Sequence, residues 1–494
     1  MDGSRNLPAP GGVGPSMKGA RIAAGSILGL VALATAGFGA SVPPRAAVPA
    51  WLALFACSAL ALALAGRLLL RARPARWALW VMAGAAVLRL AALAAPPSLS
   101  DDVHRYVWDG TRLASGHDPY ASRPREVVGA PGLERARFEA LNSPDYYTVY
   151  PPLAQATFAV AGAARLAGLD GELALRAIFA LADLAAVWLL IGLLARLRRP
   201  RGWALLYAWN PLVFWEVAGS GHTEALMVPL LLLAVGAALD ARAGRAGLWL
   251  GLAASAKLSV LVVAPVLLLH LERRSRRRRG GRALPFTASL GATLAAGFVP
   301  FASSTLWPHV RESLALYAND FSFNAPLYYG ARHFMGYEEG VTPPVDDALM
   351  PWLTAATLAW IGAVTLQQDG ALRRLVAGLA WAFAGYLVLS RVVHPWYLLP
   401  VLALGVLARS RALVLLSLLV PSSYLRYDPL GHESAWVLAG QLVPVAAVAL
   451  VEAVRAGGVR APILPPGGWR WPGRHRTGHA ASDETRAPMG GSVR

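Results

Sequence analysis

Asp101 and Asp102 stand side by side in the stretch SDDVHRYVWDGTRLASGHDPY, residues 100–120, directly after a long apolar run. Two adjacent carboxylates raise each other's pKa, and a carboxylate so placed can take a proton from a hydroxyl as a general base. Capping of the following helix by one of the pair is the competing role. Read as a helix, 102–113 puts Asp102, Arg105, Asp109 and Arg112 on one face and Val103, Tyr106, Val107, Gly110 and Leu113 on another. The sequence therefore predicts an amphipathic helix along a membrane surface. Ion pairs at spacings of three and four account for Arg105, Asp109 and Arg112, but not for the acid pair at the start.

Further candidates follow along the chain. Tyr146, Tyr147 and Tyr150 precede Pro151-Pro152, and suit either interface anchoring or ligand contact. Glu216 precedes GSGHTE, where His222 and Glu224 sit at a helix junction and serve either a cap or a site. Lys257 is a lone lysine in an apolar stretch, placed to pair with a phosphate or a carboxylate, or else to snorkel. In SRVVHPWY, Arg391 and His394 lie at another helix boundary. Together these supply a base for an acceptor hydroxyl and cations for a departing phosphate. No Walker loop, GxGxxG loop, HExxH or cysteine metal motif occurs.

The elements that must position these residues are membrane spans. The chain has 494 residues, 56% hydrophobic and 15% charged, against about 25% charged in soluble domains. Its net charge of +18 is carried largely by arginine clusters between apolar runs, which reads as loops facing anionic lipid and not as nucleic-acid binding. The single cysteine, Cys57, can form no intrachain disulfide. Helical spans are expected at 20–40, 50–70, 77–95, 174–195, 203–218, 224–240, 283–302, 351–367, 375–391, 396–408, 411–425 and 434–454. Basic flanks place Lys18, Arg21, the cluster at 67–76 and that at 196–201 inside, so loops 96–173 and 303–350 fall outside. Arg242 and Arg245 on one flank and the run at 273–279 on the other both belong inside. Segments 246–257 and 259–271 are therefore expected to dip in and return, with an apex near Ser255–Ser259; a single tilted span is the alternative. The expected organisation is a cytoplasmic tail over 1–19, a transmembrane domain over 20–454 and a basic cytoplasmic tail over 455–494.

The order SDDVHRYVWDG, YPPL, WNPLVFWEVAGSGHTE, AKLSVLVVAP, HPWYLLP resembles the bacterial GT-C superfamily mannosyltransferases that use polyprenyl-phosphate mannose, among them the phosphatidylinositol-mannoside mannosyltransferases. The resemblance covers roughly residues 96–400, and departs from the usual pattern in placing three helices ahead of the acidic loop. It implies an all-α polytopic GT-C-like bundle of about 12–14 transmembrane helices, with amphipathic helices in the first outer loop and a re-entrant pair. It implies an inverting transfer on the extracytoplasmic side of the plasma membrane, from a polyprenyl-phosphate sugar to a glycolipid or glycan acceptor. It puts the base at Asp101, with Asp102 the close alternative. Arg105, Tyr150, His222, Glu224, Lys257, Arg391 and His394 would bind donor or acceptor. No cofactor and no divalent metal is expected, and membrane lipids are the surroundings. The rival expectation is a transporter or flippase of a lipid-linked sugar; such proteins often repeat a broken helix in both halves, and only one broken pair is legible here.

Overall fold

The computed structural model describes residues 16–130, 132–274, 281–334, 345–427 and 435–455. The terminal tails beyond these bounds, part of the segment 303–350 and most of the arginine run at 273–279 lie outside the described residues. In chain order the principal helices are α1 (Met17–Ser41), α2 (Val48–Ala72), α3 (Trp77–Leu93), α4 (Asp102–Ala114), α5 (Pro152–Leu166), α6 (Gly171–Arg196), α7 (Glu224–Leu239), α8 (Ala243–Ala256), α9 (Ala264–Arg274), α10 (Ala283–Phe298), α11 (Leu306–Asp320), α12 (Pro326–Phe334), α13 (Val345–Leu366), α14 (Leu372–Val388), α15 (Leu398–Ala408), α16 (Arg411–Leu419) and α17 (Ala435–Arg455). The protein is an all-α polytopic membrane protein. Among the described residues the only extended pairing is an isolated bridge between Phe323 and Val392.

All but one of the expected spans fall mainly on helix. Among the described residues, six helical segments are long and apolar enough to cross a membrane: 17–41, 44–72, 171–196, 283–301, 349–366 and 435–455; 77–93, 224–239 and 395–408 are shorter apolar helices. The expected span 203–218 is instead broken into short turns, at 201–204, 205–208 and 211–214, and ends in a π turn at 215–220. Its break has a local cause, because Pro211 has no N–H to donate and Asn210 caps a new turn through its side chain to Leu212 N. Buried packing holds this segment where propensity would not. Trp209 donates to Val81 O at 3.1 Å. The Tyr207 hydroxyl joins a buried ion pair, Arg89 Nε to Asp183 Oδ2 at 2.7 Å, and Arg89 Nη1 also donates to Ala208 O at 2.8 Å. Two charges that neither loop accounts for thus fasten α3, α6 and the broken segment together.

The segment 243–274 doubles back on itself, as two short helices joined at an apex. Arg282 Nη1 donates to Ala241 O at 2.6 Å, and Glu272 Oε1 accepts from Arg282 N at 2.9 Å. The start of α8 and the end of α9 therefore lie at the same end of the bundle, where Arg196 also pairs with Asp240. Between them Lys257 is extended, at φ −158° and ψ 123°, and marks the apex. Its side chain pairs with Glu224 at the start of α7, which puts the apex at the opposite end, beside α4.

Helix α4 corrects one expectation. It does not lie on a surface with its charged face in solvent: Arg105, Asp109 and Arg112 are buried along with Val103, Tyr106 and Val107. Helix α5 covers it at close range. A Cβ on Gly110 would lie 1.9 Å from Phe158 O, and one on Gly162 would lie 2.2 Å from Gly110 C. Only glycines permit that backbone approach. Gly110→Ala is accordingly expected to lower the thermal unfolding temperature in detergent, costing about 1–3 kcal/mol by overpacking. Gly192→Ala, where a Cβ meets nothing within 4 Å, serves as the control and should leave it unchanged or raise it.

Candidate active site

The site is built around the start of α4. Asp101 occupies its N-cap position, yet its side chain makes no capping hydrogen bond. Both its oxygens accept from Arg45 Nη1, at 2.9 and 3.0 Å, and the Arg45 guanidinium lies 4.5 Å above the Tyr427 ring. Arg45 comes from the turn between α1 and α2. Capping therefore does not explain the acid pair, and the first acid of the pair already has a counter-charge.

Asp102 differs from its neighbour. Both are half-buried, but Asp102 accepts from Asn142 Nδ2 at 2.9 Å on Oδ1 and from the Tyr106 hydroxyl at 3.3 Å on Oδ2. Burial pushes its carboxyl above the ordinary aspartate range; the Asn142 bond, the Lys257 charge and the Tyr106 bond pull the other way, and Asp101 adds to the rise. The Tyr106 ring is itself held between Tyr150, edge-on at 4.8 Å, and Phe158, stacked at 4.4 Å. Tyr150 O also accepts from the Tyr120 hydroxyl at 2.7 Å. Tyr150 is thus a wall of the site behind Tyr106.

Lys257 faces Asp102 from the apex between α8 and α9. Its ammonium bonds to Glu224 Oε1 and lies 4.2 Å from the centre of the Tyr397 ring. Glu224 is buried, while the Lys257 side chain keeps 22% of its surface exposed. The open end of the ion pair is therefore the cationic one. The Lys257 charge also acts on His222 and His394, so these groups form one cluster.

His222 and His394 are parts of an aromatic column. The His222 ring stacks on Trp396 at 3.8 Å, and Trp396 on His394 at 4.3 Å. His394 stacks in turn on Phe323 at 4.5 Å. His222 Nδ1 lies 3.1 Å from Glu216 O, and Glu216 Oε1 accepts from the Tyr424 hydroxyl at 2.8 Å. Arg391 stands on the far side of the column. Its carbonyl accepts from Phe323 N at 3.1 Å, and its guanidinium lies over Tyr328 at 4.8 Å.

Of the residues singled out by sequence, Asp101, Asp102, Tyr150, His222, Glu224, Lys257 and His394 converge. Arg105 does not join them through its side chain. Its guanidinium bonds to Asp109 Oδ1 at 2.9 Å, Ser143 O at 2.7 Å and Tyr146 O at 3.0 Å, so it serves the loop and not the cleft. Sequence reasoning missed Arg45, Asn142, Tyr397 and Trp396. The last two lay within the quoted HPWY; nothing in the spacing pointed to the first two.

The arrangement offers a carboxylate for proton removal and an ammonium poised for an anion. Among the described residues no group of three or more His, Cys, Asp and Glu side chains is placed to hold a metal ion. The Lys257–Glu224 pair also carries stability. Lys257→Met would leave Glu224 buried without its counter-charge and is expected to cost about 3–5 kcal/mol. A fall in detergent unfolding temperature that Glu224→Gln largely restores in the double variant would show this; equal falls in the single and double variants would contradict it.

A search of curated proteins finds no match. A family model does match, over residues 16–273, and its description is alpha-(1->6)-mannopyranosyltransferase, N-terminal domain. That stretch holds Arg45, the acid pair, Asn142, His222, Glu224 and Lys257, and covers more than half of the chain. The chain belongs to the alpha-(1->6)-mannopyranosyltransferase family, and is a membrane mannosyltransferase by that membership.

Proposed function

We propose that the protein moves mannose from a polyprenyl-phosphate donor to an acceptor hydroxyl on the extracytoplasmic side of the plasma membrane. The observation that carries this reading is the convergence of Asp102, Lys257 and Glu224 from three separate elements at one end of the bundle. In this reading Asp102 is the base and Asp101 is not, since Arg45 already neutralises Asp101. The Asp102 carboxylate accepts the proton of the acceptor hydroxyl. The acceptor oxygen attacks the anomeric carbon from the face opposite the phosphate, the C1–O bond to phosphate breaks, and polyprenyl phosphate leaves with the electron pair. Lys257 turns from Glu224 to meet the phosphate charge. Displacement with inversion that makes an α linkage starts from a β-linked donor. The α-(1→6) linkage of the family points to a primary hydroxyl at carbon 6 of a mannosyl acceptor on a glycolipid or glycan. No cofactor takes part in this scheme.

His222, Trp396 and His394 form the wall that seats the donor sugar, and Arg391 backs that wall through Phe323. Family membership and the reactive set both favour transfer over carriage of a lipid-linked sugar. The test uses membranes holding the full-length protein, radiolabelled polyprenyl-phosphate mannose and lipid or glycan extracts. Asp102→Asn is expected to lower transfer about 10²–10⁴-fold, the usual worth of a general base, and Asp101→Asn far less. Because the Asp102 carboxyl lies above the ordinary aspartate range and must be ionised to work, wild-type activity should fall as pH drops through an acid limb higher than about 4. Full transfer by Asp102→Asn with loss in Asp101→Asn would reverse the assignment.

A further inference from the structure

We propose that Arg105 is a positioning residue for Asp102, acting through the loop that carries Asn142. The inference rests on Asp102 as the base. The guanidinium reaches the loop at two carbonyls, Ser143 O at 2.7 Å and Tyr146 O at 3.0 Å, and touches Ser143 Oγ at 3.2 Å. Its Nε is fixed by Asp109 Oδ1 at 2.9 Å. Asp109 Oδ2 accepts from Gln155 Nε2 at 3.3 Å, and that amide also donates to Thr148 Oγ1 at 2.8 Å. Helices α4 and α5 thus hold residues 143–148 at three points. On the other side of Asn142, Leu141 packs in an apolar cluster with Trp108 and Leu133. Asn142 is therefore pinned on both sides, and from there its amide donates to Asp102 Oδ1 at 2.9 Å.

The geometry explains why this arginine is buried: its guanidinium is taken up by Asp109 and the loop carbonyls. Its charge is cancelled by Asp109, so it adds little field at Asp102. What it supplies is several directional N–H donors from one planar group, which a single lysine ammonium cannot spread over the same acceptors. The bond it positions is a donor to the ionised carboxylate, and this favours the form that can accept a proton. The other groups facing Asp102 are Tyr106 and Asp101 on its own element, Lys257 at the apex, Glu224 on α7 and Tyr427. None of them depends on Arg105 for a hydrogen bond.

The experiment measures mannose transfer against pH in membranes holding wild type, Asn142→Leu, Arg105→Lys and the double variant. Loss of the Asn142 donor raises the Asp102 pKa, so the acid limb should move to higher pH. The expected move is up to about one pH unit, which is up to about a tenfold loss of rate below the limb, with recovery towards the wild-type rate above it. Arg105→Lys, which keeps the charge, should move the limb in the same direction, and the double variant no further than Asn142→Leu alone. Asn142 is exposed at the surface, so an unmoved limb in its variant overturns the idea even where Arg105→Lys folds poorly. A limb that stays in place in Asn142→Leu, or a loss in Arg105→Lys that is equal at every pH, would overturn the proposal. Transfer that survives Asp102→Asn would instead show that the base reading beneath it had failed.

Discussion

Lys257 stands where a broken helix turns back, and its ammonium is held by the buried carboxylate of Glu224. Neither group could be placed alone in so apolar a setting, because an unpaired charge out of water costs several kcal/mol. The pair requires α7 to begin at the level of the apex. The apex requires α8 and α9 to leave from one end of the bundle and return to it, as the Arg282, Ala241 and Glu272 bonds show. Asp102 is then brought against the pair by α4, which two glycines seat against α5. One ion pair therefore ties together the relative heights of four helices.

The balance of charge around it is uneven in a useful way. Arg45 answers Asp101, Asp109 answers Arg105, and Glu224 answers Lys257. Asp102 has hydrogen-bond donors but no cation of its own, and shares only the field of Lys257. A group left in that condition is suited to change its protonation state, whereas its neighbours are held fixed. The aromatic column of His222, Trp396, His394 and Phe323 gives the same region a rigid wall that is only weakly polar.

Much of this was legible in the chain. Apolar run length and arginine clusters marked the helices and the dipping pair, because lipid allows few backbone solutions. The acid pair, His222, Glu224 and Lys257 stood out as charges without an apolar reason. The surface reading of α4 failed for a physical reason: a stripe of Arg105, Asp109 and Arg112 looks the same whether water or a buried loop satisfies it, and only the packing of Gly110 on Phe158 O tells which. Arg45 and Asn142 were hidden because each lies tens of residues from its partner, and spacing along one helix carries no such information. The break within 203–218 was not anticipated although Pro211 lies inside that span, and the Arg89–Asp183 pair that secures it could be found only in three dimensions.

In the proposed reaction Lys257 exchanges a protein carboxylate for the donor phosphate. A cryo-electron microscopy structure of the full-length protein in a lipid nanodisc with polyprenyl phosphate bound tests it most directly. The Lys257 ammonium is expected within roughly 3 Å of a phosphate oxygen, with its bond to Glu224 broken or shared and Asp102 on the opposite side of the vacant sugar position. A phosphate bound elsewhere in the bundle, with the Lys257–Glu224 pair intact, would contradict it.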